Sequence, residues 1–149
     1  MLTKHTLCYK HFFKNKNIPK KLKLRLKNTI IDKTLTYASE TWILTKRDRK
    51  QINIFERKVY GRILGPVYEN EKENWRILTK IEIYAMVKKP TITETVRLNR
   101  LCWFGHVQRM EENRIPQNIL YMNLETTRLR GRPRNRWQDE VREDERLVG

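Results

Sequence analysis

The sequence predicts a mainly α protein: a small helical bundle or loosely packed helices, with an extended arginine-rich strip and frayed termini. Apolar residues recur at helical spacing in several segments, and residues that typically start or stop helices flank these segments. Near the C-terminus, arginine alternates with other residues around glycine and proline, a pattern that does not form a helix. With 149 residues, of which 38% are hydrophobic and 34% charged, the chain can form one modest domain or two small helical units around a thin core.

The N-terminal part of the chain is rich in lysine. We predict that residues 1–17 are disordered and that a helical segment over 18–66 follows, with a first helix opening near Pro19. Apolar residues recur there at four-residue spacing: Ile18, Leu22, Leu26 and Ile30. Every second residue from Leu22 to Leu26 is also a leucine, which fits a strand, so both alternatives remain open.

The clearest helix begins after Thr45. The segment before it, Leu35–Leu44, predicts a turn or a short extended stretch packed by its aromatic residues. Thr45 offers an N-cap, Asp48 follows three residues later, and Gly65-Pro66 ends the helix. Its apolar stripe comprises Ile52, Phe55, Val59 and Ile63. Its other face is more basic than solubility requires and carries Lys46, Arg47, Arg49, Lys50, Arg57, Lys58 and Arg62.

A second helical segment is predicted over 67–122. Asn74 can cap a helix that runs to about Lys89 and is closed by Pro90. The apolar side of this helix would comprise Trp75, Leu78, Ile81 and Ala85.

A long helix towards Met110 is predicted next, because Thr91 with Glu94 resembles a capping box. Its apolar stripe comprises Val96, Leu101, Phe104 and Val107. The apolar group Ile115–Met122 predicts one or two further helical turns.

Residues 123–149 form a predicted arginine-rich tail with a short acidic helix that begins at Trp137. Five arginines alternate with other residues, namely Arg128, Arg130, Arg132, Arg134 and Arg136. Because Gly131 and Pro133 interrupt them, they form an extended strip that can meet phosphates. The run Leu129–Pro133 resembles an AT-hook core, which inserts arginine into narrow A·T minor grooves. Phosphate contact without sequence preference and a solvated loop are the alternatives.

The charge of the chain favours a polyanionic partner. Lysine and arginine total 33 against 17 acidic residues, a formal net charge of +16. Nucleic acid is the first candidate, although ribosomal or membrane-surface binding would satisfy the same count. The two distant cysteines, Cys8 and Cys102, and the lack of a secretory signal indicate free thiols in a reducing intracellular compartment. No stretch approaches the roughly 20 apolar residues of a membrane span, so we expect no membrane partner.

Residues that could carry chemistry do not form a convincing site. The trio His5, Cys8 and His11 lacks a fourth ligand, and His106 with Cys102 lacks a second pair, so we interpret them as structural or solvated. Two acidic runs, Glu111-Glu112 and Asp139–Glu145, are interpreted as solvated helix faces, and the second can also neutralise the arginine strip. We therefore expect no catalytic residue, metal, cofactor or small-molecule substrate.

The four tryptophans occur about once per segment. We interpret each as a core anchor of one helical unit, with base stacking on an exposed ring as the alternative. They are Trp42, Trp75, Trp103 and Trp137.

An ordered series of four motifs resembles the region downstream of the polymerase core in non-LTR retrotransposon reverse transcriptases, of the kind abundant in insect genomes. The motifs are Leu35–Trp42, Phe55–Val59, Leu101–Met110 and Arg130–Trp137, and the resemblance covers the chain from about Lys20 to near its end. The positions that carry it are Tyr37, Ser39, Glu40, Trp42, Trp103, Gly105, His106, Arg109, Met110, Gly131, Pro133 and Trp137. The chain departs from the family at Ala38, where glycine is usual.

The resemblance implies a thumb-like helical segment, which in polymerases grips the template and primer duplex, followed by a basic tail. In that family of RNA-directed DNA polymerases, the endonuclease and the metal-binding palm lie upstream, and nothing in this sequence matches them. The chain is also too small for fingers, palm and thumb together. We therefore expect a fragment that is not an enzyme.

These observations predict a catalytically inactive, nuclear binder of nucleic-acid duplex with low sequence specificity. The expected phosphate contacts are Arg47, Lys50, Arg57, Lys58, Arg128, Arg130, Arg132, Arg134 and Arg136. One alternative is a domesticated protein that reads A·T-rich minor groove. A second is a decayed open reading frame without a selected function. A third is a fragment that completes a polymerase core supplied by another chain. A fourth is a structural or interaction protein whose basic surface only keeps it soluble.

Overall fold

The computed structural model describes residues 12–70, 73–122 and 136–148. Over these residues the protein is mainly α, with one two-stranded sheet, which confirms the predicted fold class. The chain forms two compact units. Unit 1 is drawn from Met1–Tyr37 and Lys46–Thr93, and unit 2 from Ala38–Thr45 and Glu94–Gly149.

Unit 1 begins with a nearly continuous helical stretch. After a helical turn at residues 12–14, α1 (Lys20–Leu26) passes through a π-helical segment (Lys27–Ile31) into α2 (Asp32–Thr36). Pro19 precedes the first helical residue, where its missing N–H has no intrahelical acceptor to lose. The predicted helix opening near Pro19 is thus confirmed, and the strand alternative is wrong.

The central element of unit 1 is α3 (Lys46–Leu64). It begins directly after Thr45 and ends before Gly65-Pro66, as predicted. Gly65 has φ +76, a left-handed conformation that glycine adopts without a steric penalty. Its N–H donates to the carbonyl of Gly61 at 3.0 Å, which completes the last turn.

A hairpin and a short helix follow α3. Strand β1 (Val67–Glu69) pairs antiparallel with β2 (Asn74–Arg76), and α4 (Lys80–Val87) comes next. The predicted helix start at Asn74 is therefore wrong. Helix α4 is instead capped by Thr79, whose hydroxyl accepts from the N–H of Glu82 while the Glu82 carboxylate accepts from the N–H of Thr79.

The predicted apolar side of that helix is confirmed for Leu78 but wrong for Trp75 and Ile81, which are 64% and 81% exposed, and for the exposed Ala85. The residues that pack are Leu78 and Ile83, both buried.

Two apolar clusters pack against α3. One comprises the buried side chains of Phe13, Ile31, Val59 and Ile63. The other comprises Tyr60, Leu64, Leu78 and Ile83. Burying each such side chain stabilises the fold by roughly 1.5–3 kcal/mol, so α3 is the element on which unit 1 depends most. The N-terminal segment expected to be disordered contributes to the first cluster through Phe13, whereas residues 1–11 lie outside the described part of the chain.

Unit 2 contains a 3-10 turn (Ser39–Thr41), most of α5 (Ile92–Gln108), α6 (Ile115–Tyr121) and α7 (Trp137–Val148). The predicted long helix towards Met110, the short helix at Ile115 and the terminal helix at Trp137 are all confirmed. Val96 and Val107 of α5 and Val141 of α7 are buried.

The tryptophans differ in burial. Trp42 and Trp137 are half-buried, in keeping with anchors, and the indole N–H of Trp137 donates to the carbonyl of Glu40 at 2.7 Å. Trp75 and Trp103 are 64% and 38% exposed, so the interpretation of these two as core anchors is wrong.

Candidate nucleic-acid interface

Four of the predicted phosphate contacts share one face of α3. At 3.6 residues per turn, Arg47, Lys50, Arg57 and Lys58 fall within an arc of about 100°, opposite the buried residues of the helix. Arg57 is half-buried and the other three are exposed. We call these four residues the α3 basic face.

The cations of the α3 basic face have no ion-pair partner within the part of the chain that the structure describes. They extend over about 17 Å along the helix axis, at 1.5 Å per residue from Arg47 to Lys58. The α3 basic face is therefore long enough to contact more than one phosphate of a duplex.

Beneath this face, the buried side of α3 carries a carboxylate, that of Glu56. Its Oε1 lies 3.2 Å from Nζ of Lys27, and its Oε2 accepts from the Tyr84 hydroxyl at 3.0 Å and from the N–H of Ile92 at 3.4 Å. Glu56 thus ties α3 to the π-helical segment, to α4 and to the start of α5. Its negative charge is neutralised inside unit 1, on the side of α3 away from the basic face.

Lys27 is the counter-charge at the centre of this network. Its Nζ also donates to the Tyr60 hydroxyl at 2.7 Å and to Asp32 at 3.0 Å, and it lies 4.0 Å from the centroid of the Tyr60 ring. Burial by itself lowers the pKa of Lys27, but the hydrogen bond to Tyr60 and the charge of Asp32 outweigh it and raise the net pKa. Burial raises the pKa of Tyr60, against the opposing effect of Lys27. Lys27 therefore stays charged, and its charge is neutralised by ion pairs within unit 1.

Unit 2 contains a second buried ion cluster. Arg100 of α5 contacts Glu140 at 3.2 Å and Asp144 at 2.6 Å, and it donates to the carbonyl of Trp42 at 2.7 Å. Arg97 pairs with the same Asp144 at 3.2 Å. The interpretation of Asp139–Glu145 as a solvated face is thus wrong for two of its members, Glu140 and Asp144, which are each 1% exposed. The four-residue spacing of Glu140 and Asp144 was the sequence signal that they share one side of a helix.

Residues from three of the four resemblance motifs contact one another or their neighbours in unit 2. Ser39 is fully buried and accepts from the side-chain amide of Asn99 at 3.1 Å. The ring of Phe104 lies 6.2 Å from that of Trp137, whose N–H binds the carbonyl of Glu40. The 3-10 turn, α5 and α7 are therefore joined in part by motif residues.

Ala38 has a left-handed backbone conformation at a position where the resembled pattern has glycine. Its φ of 52 and ψ of 25 are left-handed, a region that favours glycine over alanine. A glycine at this position would adopt the turn without strain.

The other motif positions are distributed differently. Trp103 and His106 lie on α5 with ring centroids 5.4 Å apart; Trp103 is 38% exposed, and His106 is exposed as well. Tyr37 is 81% exposed. Arg109 is exposed and Met110 half-buried just after α5. A side chain at Gly105 would meet only the end of the Arg109 side chain, at 3.4 Å.

The arginine strip falls mainly outside the described residues. Arg128, Arg130, Gly131, Arg132, Pro133 and Arg134 all lie there, as do His5, Cys8 and His11. Arg136 is described and exposed, and its backbone N–H donates to Asp139 at 3.2 Å. Cys102 is an exposed free thiol. Within the described residues, no three His, Cys, Asp or Glu side chains converge as metal ligands, and no helix combines the length and apolar content needed to cross a membrane.

The hairpin next to α4 presents exposed aromatic side chains. Tyr68 and Trp75 are cross-strand partners with ring centroids 5.3 Å apart. On the same strand, Arg76 makes two contacts with Glu82, at 2.6 and 2.8 Å. This pairing, together with the hydrogen bonds from Thr79, lowers the pKa of Glu82 to about 2.

No protein-family model and no solved structure matches the chain. A Caenorhabditis elegans protein described as uncharacterized and transposon-derived is 26% identical to it over 126 residues, which is 84% of this chain. The chain spans 44% of the length of that relative. This similarity points to a transposon origin of the sequence.

Proposed function

We propose that this chain is the region downstream of the palm in a non-LTR retrotransposon reverse transcriptase, and that it binds nucleic-acid duplex without catalysing a reaction alone. The four motifs in their order and the transposon-derived relative support the origin. The observation that carries the binding proposal is the α3 basic face, whose cations have no acidic partner among the described residues.

The charge distribution of unit 1 supports binding to the phosphates of a nucleic acid. Two of its carboxylates, the buried Glu56 and the partly exposed Asp32, are paired with Lys27. The α3 basic face therefore keeps its positive potential, which raises the local concentration of a polyanion and speeds encounter. Contacts to phosphates carry no base information, so the proposed binding tolerates any sequence.

The arginine strip from Arg128 to Arg136 is proposed to add further phosphate contacts beyond those of α3. A guanidinium group on an extended chain can donate two parallel hydrogen bonds to the oxygens of one phosphate. Because a DNA partner resides in the nucleus, we propose a nuclear location.

A filter-binding titration of the full chain on duplex DNA at several salt concentrations tests the proposal. If about five cations engage phosphates, the plot of log affinity against log salt has a slope near minus four to five. Duplexes rich in A·T and in G·C should bind equally well. A flat salt response would overturn the proposal.

A further inference from the structure

A basic cavity lies beside the C-terminal end of α3 in unit 1. Its volume is about 450 Å³, within the roughly 300–1,000 Å³ range of small-ligand sites. Its cationic lining residues come from the N-terminal stretch, from α1 and from α3: Lys14, Lys16, Lys20, Lys23 and Arg62. The rest of the lining is apolar or glycine, with no carboxylate among the lining residues.

Lys23 is the most buried of the cations that line this cavity. The residue is only 6% exposed, and it has no hydrogen-bond or ion-pair partner within the described residues of the chain. The ammonium of Lys27 in the same unit is paired with Glu56 and Asp32. The ammonium of Lys23 is therefore the one that remains available to an anion bound in the cavity.

The four other cations restrict which anion fits. Lysine binds phosphate as a compact point charge, and the guanidinium of arginine offers a planar fork to two phosphate oxygens. Five positively charged residues around one cavity favour a doubly charged group over a singly charged one. Gly61 also lines the cavity, and a side chain added there would meet no atom within 4 Å.

We propose that this cavity is a binding site for a phosphomonoester dianion, in which Lys23 supplies the innermost positive charge and Arg62 with Lys20 holds the outer oxygens. The group can belong to a strand terminus of a nucleic acid or to free phosphate. None of the four residues of the α3 basic face lines the cavity, so this site does not rest on the proposed duplex binding.

Amide NMR titration of the full chain with inorganic phosphate, at an ionic strength held constant with chloride, tests the site. Saturable shifts are expected at Gly61, Arg62 and Leu64. Lys23→Met keeps the apolar stem but removes the charge, and it should weaken phosphate binding by about tenfold or more. The matched control is Lys21→Met, an exposed neighbour on α1 that does not line the cavity, which should leave affinity unchanged.

A second pair of variants keeps the test valid if Lys23→Met fails to fold. Gly61→Glu adds a carboxylate to the lining, whereas Gly61→Gln adds the same volume without charge. Phosphate affinity should be lost in Gly61→Glu and retained in Gly61→Gln. Equal affinities in these two variants, or the absence of saturable shifts in the wild type, would overturn the site.

Oligonucleotides separate the two sources of the phosphoryl group. If a strand terminus is the ligand, a tetranucleotide with a 5′- or 3′-phosphate binds more tightly than both inorganic phosphate and the same tetranucleotide with hydroxyl ends. If free phosphate is the ligand, terminal phosphorylation of the tetranucleotide gives no gain. Binding of duplex DNA by the Lys23→Met variant is measured in parallel. This measurement tests the α3 basic face independently of the cavity.

Discussion

Glu56 and Lys27 form an ion pair with 3.2 Å between Oε1 and Nζ, and each side chain is 1% exposed. The pair joins α3 to the π-helical segment, 29 residues earlier in the chain. Because Glu56 points into unit 1, the opposite side of α3 is left with Arg47, Lys50, Arg57 and Lys58 and no neutralising acid on the helix face they share. This buried pair thus holds α3 against the π-helical segment, and it leaves the α3 basic face without a neutralising carboxylate.

Removing the cation of this pair should be costly. In Lys27→Met, Glu56 and Asp32 lose their buried counter-charge, and we expect a loss of about 3–5 kcal/mol in the free energy of unfolding. Urea denaturation followed by circular dichroism measures it. Lys33→Met, an exposed lysine on α2, is the control and should change stability by less than about 0.5 kcal/mol. Equal effects of the two substitutions would contradict the role given to Lys27.

Arg100 should matter in the same way to unit 2. Arg100→Met leaves Glu140 and Asp144 buried, and we expect a loss of about 3–5 kcal/mol in unfolding free energy. Arg142→Met is the matched control, because that side chain is 70% exposed and lies 3.9 Å from Asp139. It should cost less than about 1 kcal/mol. A small effect at Arg100 would mean that its two carboxylates do not depend on it.

Ala38→Gly should stabilise the protein. Alanine at φ 52 is strained, and relief of this strain exceeds the entropic cost of glycine, so a gain of up to about 1 kcal/mol is expected in thermal or urea unfolding. Ala85→Gly, at an exposed position inside α4, is the opposite case and should lose about 0.5–1 kcal/mol. A loss of stability in both variants would show that residue 38 does not need the left-handed conformation.

Glu82 should make the N-terminus of α4 sensitive to acid. Its pKa is lowered to about 2 in the folded protein against an ordinary value of 4.5. A depressed carboxyl pKa contributes stability that is present above pH 4.5 and is lost as pH falls through about 2. NMR titration of the Glu82 carboxyl carbon measures the midpoint. In Arg76→Gln that midpoint should rise, and a wild-type midpoint near 4.5 would rule out the pairing.

The limits of α3 could be predicted because both are set locally. Thr45 precedes the first helical residue, and Gly65-Pro66 supplies a left-handed residue followed by one that cannot continue the helix. The hairpin was missed because three-residue strands show too few alternations to reveal their period. The polar Asn74 was therefore interpreted as a helix N-cap. The capping box in the structure lies at Thr79 and Glu82.

The basic face of α3 was also predictable, since charge and helical period are both visible in sequence. The buried pairs were not, because Lys27 and Glu56 are 29 residues apart and Arg100 and Glu140 are 40 apart. Nothing local distinguishes Lys27 or Lys23 from the exposed lysines around them. Only tertiary packing shows that one is paired and the other lines a cavity.

The most direct test of duplex binding neutralises the exposed part of the α3 basic face. The variant Arg47→Gln, Lys50→Gln, Lys58→Gln is compared with Lys33→Gln, Lys80→Gln, Lys89→Gln, which removes the same charge from exposed positions outside α3. The measurement is the slope of log affinity for duplex DNA against log salt concentration. The α3 variant should reduce the magnitude of the slope by about 2.7, that is 0.9 for each lost phosphate contact, while the control keeps the wild-type slope. Equal slopes in the two variants would contradict duplex binding through α3.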